Sequence, residues 1–283
     1  MPIRIAALAS RTEDVLQRLR GASVAIPAGS RLHRYLAALN AAAPLEYANP
    51  PEQLIRLCHR LLIEIDDLEQ ITGSLGSAQP VPGWGELVEQ TLSGSPLRTE
   101  EANHSRARDV QFELLVAALF RRIGYSVSLE EPDVVAERNL HRIAIAAKRP
   151  RSRTKLRRNI HDAGKQILHL KLQGLIAIDT TVLMNPADQH LTTRDASVAY
   201  DAVTEQASNL SKYIASIAGL RFGTTKIFGV LARTAVPVWQ PDTRILSFLN
   251  LWSVVGMIPP DDERRAIIEQ ISKNLSRIQR SGL

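Results

Sequence analysis

Apolar residues recurring three and four positions apart mark much of this chain as helix. Leu54, Cys58, Leu61, Leu62, Ile65, Leu68 and Ile71 form one such series and predict a deeply packed helix that ends near Gly73. Residues 31–39 carry a shorter series, so the first hundred residues read as helical. Residues 112–120, interrupted only by Glu113, form a largely buried helix closed by Gly124. The period then changes. Val134 and Val135, and after them Ile143 to Ala147, are short apolar runs on either side of Glu137, Arg138 and Asn139, which reads as a hairpin. Leu156, Ile160, Ala163, Ile167 and Leu170 return to helical spacing as one apolar stripe. Residues 175–183, preceded by Gly174, read as a buried strand, and residues 188–219 as mostly helix. A second apolar strand covers residues 226–232, with Pro237 expected to end it or confine it to an edge. Residues 244–255 and 262–278 are expected to close the chain as helices, the second begun by Asp261, Asp262 and Glu263.

Two breaks divide this pattern: a Gly/Ser/Pro-rich stretch from Gly73 through Gly85, and Ser93 to Pro96. They place a helical accessory region at residues 1–97 and a second domain at 98–283. Helices around a core of strands give the latter an α/β class with a mixed central sheet. At 283 residues there is ample core for either one large or two ordinary domains.

Charge narrows the partners. Thirty-five lysines and arginines against 29 acids leave a net +6, compatible with a polyanion. The single cysteine, Cys58, excludes an intrachain disulfide and fits a reducing compartment. No apolar run reaches the roughly 18 residues that span a bilayer, and the first ten residues have too short an apolar core for a signal peptide. A soluble cytoplasmic protein without a membrane partner is expected. The motifs of P-loop ATPases, His-Glu-x-x-His zinc proteases and Gly-x-Ser-x-Gly hydrolases are all absent.

The hairpin carries the candidate chemistry. Side chains alternate between faces along a strand, so Ala146 and Lys148 point the same way. The returning arm brings Asp133 beside that face. A carboxylate and an ammonium then meet at the end of a sheet, next to an alanine. Taken singly, Asp133 also suits a turn and Lys148 a solvated strand end.

Pro132-Asp133 followed by a strand ending Ala146-Ala147-Lys148 resembles the PD-(D/E)xK nucleases, the restriction-endonuclease-like fold, over about residues 105–185. That pattern has Asp or Glu at position 146. A single Glu→Ala replacement, natural or introduced, accounts for the departure, and introduction to trap an inactive form is the preferred reading because the surrounding strand keeps the pattern. The resemblance implies Mg²⁺ or Mn²⁺ bound by Asp133, by the side chain at 146, by the Ala147 carbonyl and by Glu113 from the preceding helix. Such a cation activates water and neutralises transition-state charge in phosphodiester hydrolysis. Lys148 would orient the water and stabilise developing negative charge, and Gln166 would help fix the site. With Ala146 in place of the acid, the chain is expected to cut poorly or not at all. Glu113 has a plainer alternative in pairing with Arg106, Arg108 or Arg121, and Gln166 in bordering the apolar stripe. Asp179 is a further acid, better suited to a hydrogen-bonded strand end.

Lys148, Arg149, Arg151, Arg153, Lys155, Arg157 and Arg158 follow without an intervening acid, and Lys165 lies beyond. Such runs are usually solvated. Beside a hydrolytic centre, Arg149 to Arg158 and Lys165 would hold a phosphate backbone without reading bases. The lack of interleaved aromatics favours duplex DNA over single strands. The expected function is a metal-dependent nuclease acting in antiphage defence, restriction or repair. Because a free nuclease endangers its host, a regulatory protein partner or a homo-oligomer is expected to restrain it. The rival reading is a naturally inactive nuclease fold that binds nucleic acid or scaffolds a complex. A third is a helical interaction protein whose basic run meets acidic protein surfaces.

Overall fold

The computed structural model describes residues 3–42, 51–77, 79–95, 106–139, 141–222, 226–259 and 261–280. The first part is helical as its spacing predicts: after a two-residue strand β1 (Ile3–Arg4) come α1 (Ile5–Gly21), α2 (Arg31–Ala42), α3 (Glu52–Leu75) and α4 (Trp84–Thr91). The boundary expected at residues 97 and 98 lies outside the described residues. On either side of it, Leu61, Leu68, Val88, Leu115 and Phe120 belong to one buried apolar cluster, which reaches the sheet through Val134 and Ile145.

Helix α5 (Arg106–Arg122) stops where Gly124 takes φ +90°, a conformation that costs a residue without a side chain little. The Tyr125 N–H then reaches back to the Phe120 carbonyl at 3.0 Å, closing the helix end. The strands β2 (Ser126–Ser128), β3 (Val134–Arg138) and β4 (His141–Lys148) follow as an antiparallel meander, turning at Asn139 with φ +54°. Helix α6 (Arg153–His169) crosses over to β5 (Gln173–Asp179), which runs parallel to β4. After the one-turn helix α7 (Thr181–Met184), the short β6 (Leu191–Thr192) and the long α8 (Ala196–Phe222), β7 (Ile227–Gln240) lies parallel to β5. Then β8 (Ile245–Gly256) returns antiparallel to β7, and α9 (Arg265–Arg280) ends the fold.

The sheet order is β1-β8-β7-β5-β4-β3-β2, with β6 pairing with β7. This is an α/β architecture with a mixed sheet. Both faces are covered. Ile143, Ile145 and Ala147 of β4 join the cluster shared with α3, α5 and α9, while Ala144 and Ala146 join Leu156, Ile160 and Ile167 of α6 and Ile214 of α8. Among the described residues, no helix is long and apolar enough to cross a membrane.

Two sequence expectations need correction, and a third is decided between its alternatives. The expected helix at 244–255 is instead strand β8, from Ile245 onward. Leu246, Phe248, Leu249, Leu251 and Trp252 are all buried because helices cover both faces of the sheet. A strand buried on both sides loses its two-residue alternation, and its spacing then mimics a helix. Pro237 does not end β7, which continues to Gln240; of the two outcomes expected for it, the edge position is the one found. Along β7 the Arg233 and Trp239 carbonyls accept from Thr180 and Thr193, and the Ala235 N–H donates to the Thr181 hydroxyl. Pro237, in the same alternation, falls at the gap between β5 and β6, where its missing N–H breaks no ladder bond. Finally, β5 stops at Asp179 and not at residue 183, because the Asp179 carboxylate accepts from the Thr181 N–H at 3.0 Å and turns the chain into α7.

Candidate functional site

The β3–β4 pairing builds the site. Val134 pairs with Ile145, so the preceding residue, Asp133, comes opposite Ala146. Asp133 Oδ2 accepts from the Ala147 N–H at 2.7 Å and from Lys148 Nζ at 3.1 Å. Both side chains are largely covered, 13 % exposed for Asp133 and 21 % for Lys148. Burial pushes the Asp133 carboxyl up, against the opposing pull of Lys148 and the Ala147 N–H. Ala146 is fully buried beside Ala144, Ile176 and Ile178.

Glu113 approaches from α5 on the other side of the sheet. Its carboxylate pairs with Arg106 at 3.1 Å, as the plainer reading of this residue has it. It is also pushed up to about 6, first by burial and then by the negative charge of Asp133, so the two acids feel each other. Since folding raises this carboxyl from 4.5, the folded chain holds its proton more tightly. The stability this group contributes is therefore fully present below pH 4.5 and is lost as pH rises through about 6, roughly 2 kcal/mol in all. Glu113→Gln should remove this part of the slope and leave the part due to Asp67, whose carboxyl burial also pushes up to about 6. Denaturant unfolding of both forms at pH 4.5 and pH 7.5 checks it, an unchanged slope in the variant assigning the pH dependence elsewhere.

The residues present do not assemble a divalent-cation centre. Among the described residues, no group of three or more His, Cys, Asp or Glu side chains is arranged to hold a metal ion. Asp133 is already satisfied by an ammonium and an amide, and position 146 offers a methyl group. The ligand set of Asp133, Glu113, Ala146 and Ala147 is thus short of one carboxylate.

Of the basic residues, Arg153, Lys155, Arg157, Arg158 and Lys165 are exposed on α6, and Arg151 is half-buried at its entry. Arg149 departs from the expected phosphate-binding role. It turns inward, 9 % exposed, and its Nε donates to Asp179 at 2.9 Å while Nη1 lies 3.7 Å from Asp109. A strand residue one position from Lys148 must face the opposite side, here the side packed by α5. Asp179 is the hydrogen-bonded strand-end residue anticipated for it. Gln166 is half-buried, and its Oε1 is covered without a hydrogen-bond partner.

Behind Arg149 lies an ionic cluster that the sequence reading missed. A cavity of about 30 Å³, room for a single water, is lined by Arg60, Glu64, Asp67, Arg149, Asp179 and Arg233 among others. Arg233 grips Asp67 through both guanidinium ends, at 2.5 and 3.2 Å. Arg31 Nε donates to Glu64 at 2.8 Å, and Arg60 Nε to Asp188 at 2.7 Å. The signal was present in the chain: Arg60, Glu64 and Asp67 recur at helical spacing within the apolar series of α3 and are buried with it. Comparison with protein-family models, with curated proteins and with solved structures returns no match.

Proposed function

We propose that this chain has the framework of a restriction-endonuclease-like, metal-dependent nuclease acting on DNA, inactive because position 146 lacks its carboxylate. The carrying observation is the contact of Asp133 Oδ2 with Lys148 Nζ at 3.1 Å, made at the end of the antiparallel β3–β4 pair. An acid at 146 would face the same side as Lys148 and lie opposite Asp133. Glu113, coupled electrostatically to Asp133, stands near enough to sense that charge. Within this reading Lys148 orients the attacking water, and the alanine leaves Asp133 to pair with Lys148 instead of a cation. A nuclease acting in antiphage defence, restriction or repair, restrained by a protein partner or by self-association, is the setting this framework suits.

A second reading has its own support. Ala146 packs without exposure among Ala144, Ile176 and Ile178, as it would in a fold that has settled into binding or scaffolding without cleavage. One experiment separates the two. Plasmid cleavage with Mg²⁺ or Mn²⁺ is measured for the chain, for Ala146→Glu and for Ala146→Glu with Lys148→Ala. Cutting gained in the single variant and lost in the double supports the nuclease framework. A folded Ala146→Glu that binds DNA and does not cut it with either metal supports the scaffold.

A further inference from the structure

Between Lys148 and Ile178 the chain holds nine lysines and arginines against one acid, Asp162. Folding sorts them by direction. Leu156, Ile160, Ala163 and Ile167 turn α6 toward the sheet, which leaves Arg153, Lys155, Arg157, Arg158 and Lys165 on its outer side. The strip does not end with α6. Arg221 of α8 donates from Nε to His161 Nδ1 at 3.1 Å, and Phe222 closes over Gly164, so the basic end of α8 lies against the middle of α6. At the far end, Lys226 reaches the Lys171 carbonyl at 3.5 Å, adding two exposed ammoniums.

We infer that the outer face of α6, continued by Arg221, Lys171 and Lys226, is a track for the phosphate backbone of duplex nucleic acid, leading to the Asp133–Lys148 rim. Where the track leads rests on the nuclease reading; its affinity for a duplex does not. Seventeen residues of helix give the strip a length of about 25 Å, enough to follow several successive phosphates. Its near end is the amino terminus of α6, whose dipole adds to the attraction for anions. Asn159 and Gln166, the amides of α6 suited to reading adenine, are half-buried, so the face offers charge more than base recognition. An anionic lipid surface is the weaker partner. A helix that lies on a membrane buries its apolar face in lipid, and here that face is spent on the sheet.

The test is fluorescence anisotropy of a labelled random-sequence duplex without divalent metal and with Ala146 unchanged. A failure of Ala146→Glu to cut therefore leaves the outcome intact. Arg153→Glu/Arg157→Glu/Lys165→Glu should weaken binding about 100-fold and flatten the dependence of log K on log salt by about 2.7. Circular dichroism establishes that the variant is folded. A control, Lys273→Glu/Arg277→Glu on α9, changes exposed charge elsewhere and should alter affinity far less. Equal losses in the two variants, no duplex binding by the chain, tighter binding to single strands, or preference for vesicles of anionic lipid would each overturn the track.

Discussion

Asp67→Ala is expected to lower the free energy of unfolding by about 3–5 kcal/mol. Asp67 and Arg233 are 5 % and 4 % exposed, and the carboxylate also accepts from Gln111 Nε2 at 3.0 Å. Removing it leaves Arg233 bonded to the neutral Asn250 and over the face of Trp252, with Asp179 acting on it only through its charge. A cation stranded in a low-dielectric interior is far more costly than the pair it came from. Asp67→Ala combined with Arg233→Met should therefore recover most of the loss, since the carboxylate and the guanidinium it pairs with are removed together. Denaturant unfolding of the three forms decides the matter. A double variant as unstable as the single would mean that packing, not charge, holds this junction between α3 and β7. The junction matters to the site, because the same cluster continues through Asp179 to Arg149, the neighbour of Lys148.

Gly174→Ala should be nearly as damaging, about 3 kcal/mol. An added Cβ would run into the Ala144 carbonyl oxygen and lie 2.9 Å from Ile167. The first of these is backbone of the paired strand and cannot rotate away. β4 and β5 would have to separate, or the register carrying Ala147 beside Ala177 and Lys148 beside Ile178 would shift. Loss of the Asp133–Lys148 contact should accompany the destabilisation, read as altered amide shifts at Ala147 and Lys148. A native-like stability would show that the two strands have slack at this point. A glycine ahead of the apolar run 175–178 looks from sequence like ordinary punctuation. Its need comes from a neighbouring strand thirty residues back.

What could be read in advance follows from which interactions are local. Helix α3 was legible from its three- and four-residue spacing, α6 from its single apolar stripe, and the hairpin from two short runs around Asn139. In each case residues near in sequence carry the information. The Asp133–Lys148 contact was legible for the same reason, because one turn and a two-residue period place both ends. Strand β8 was misread because helices on both faces erased the alternation that marks a strand. For Pro237 the sequence left an end or an edge open, and the choice was made by where β5 stops and β6 begins.

The chain by itself determined an α/β order of elements, a basic helix after a hairpin, and an acid and an amine that the hairpin must bring together. Only tertiary structure decided which of the cations face water. Arg149 and Arg153 are alike in sequence, yet one is locked between Asp179 and Asp109 while the other is exposed. Local periodicity selects a face of a strand or helix. What covers that face is set by elements distant in the chain, and burial is what turns a charge from a surface contact into a structural pair.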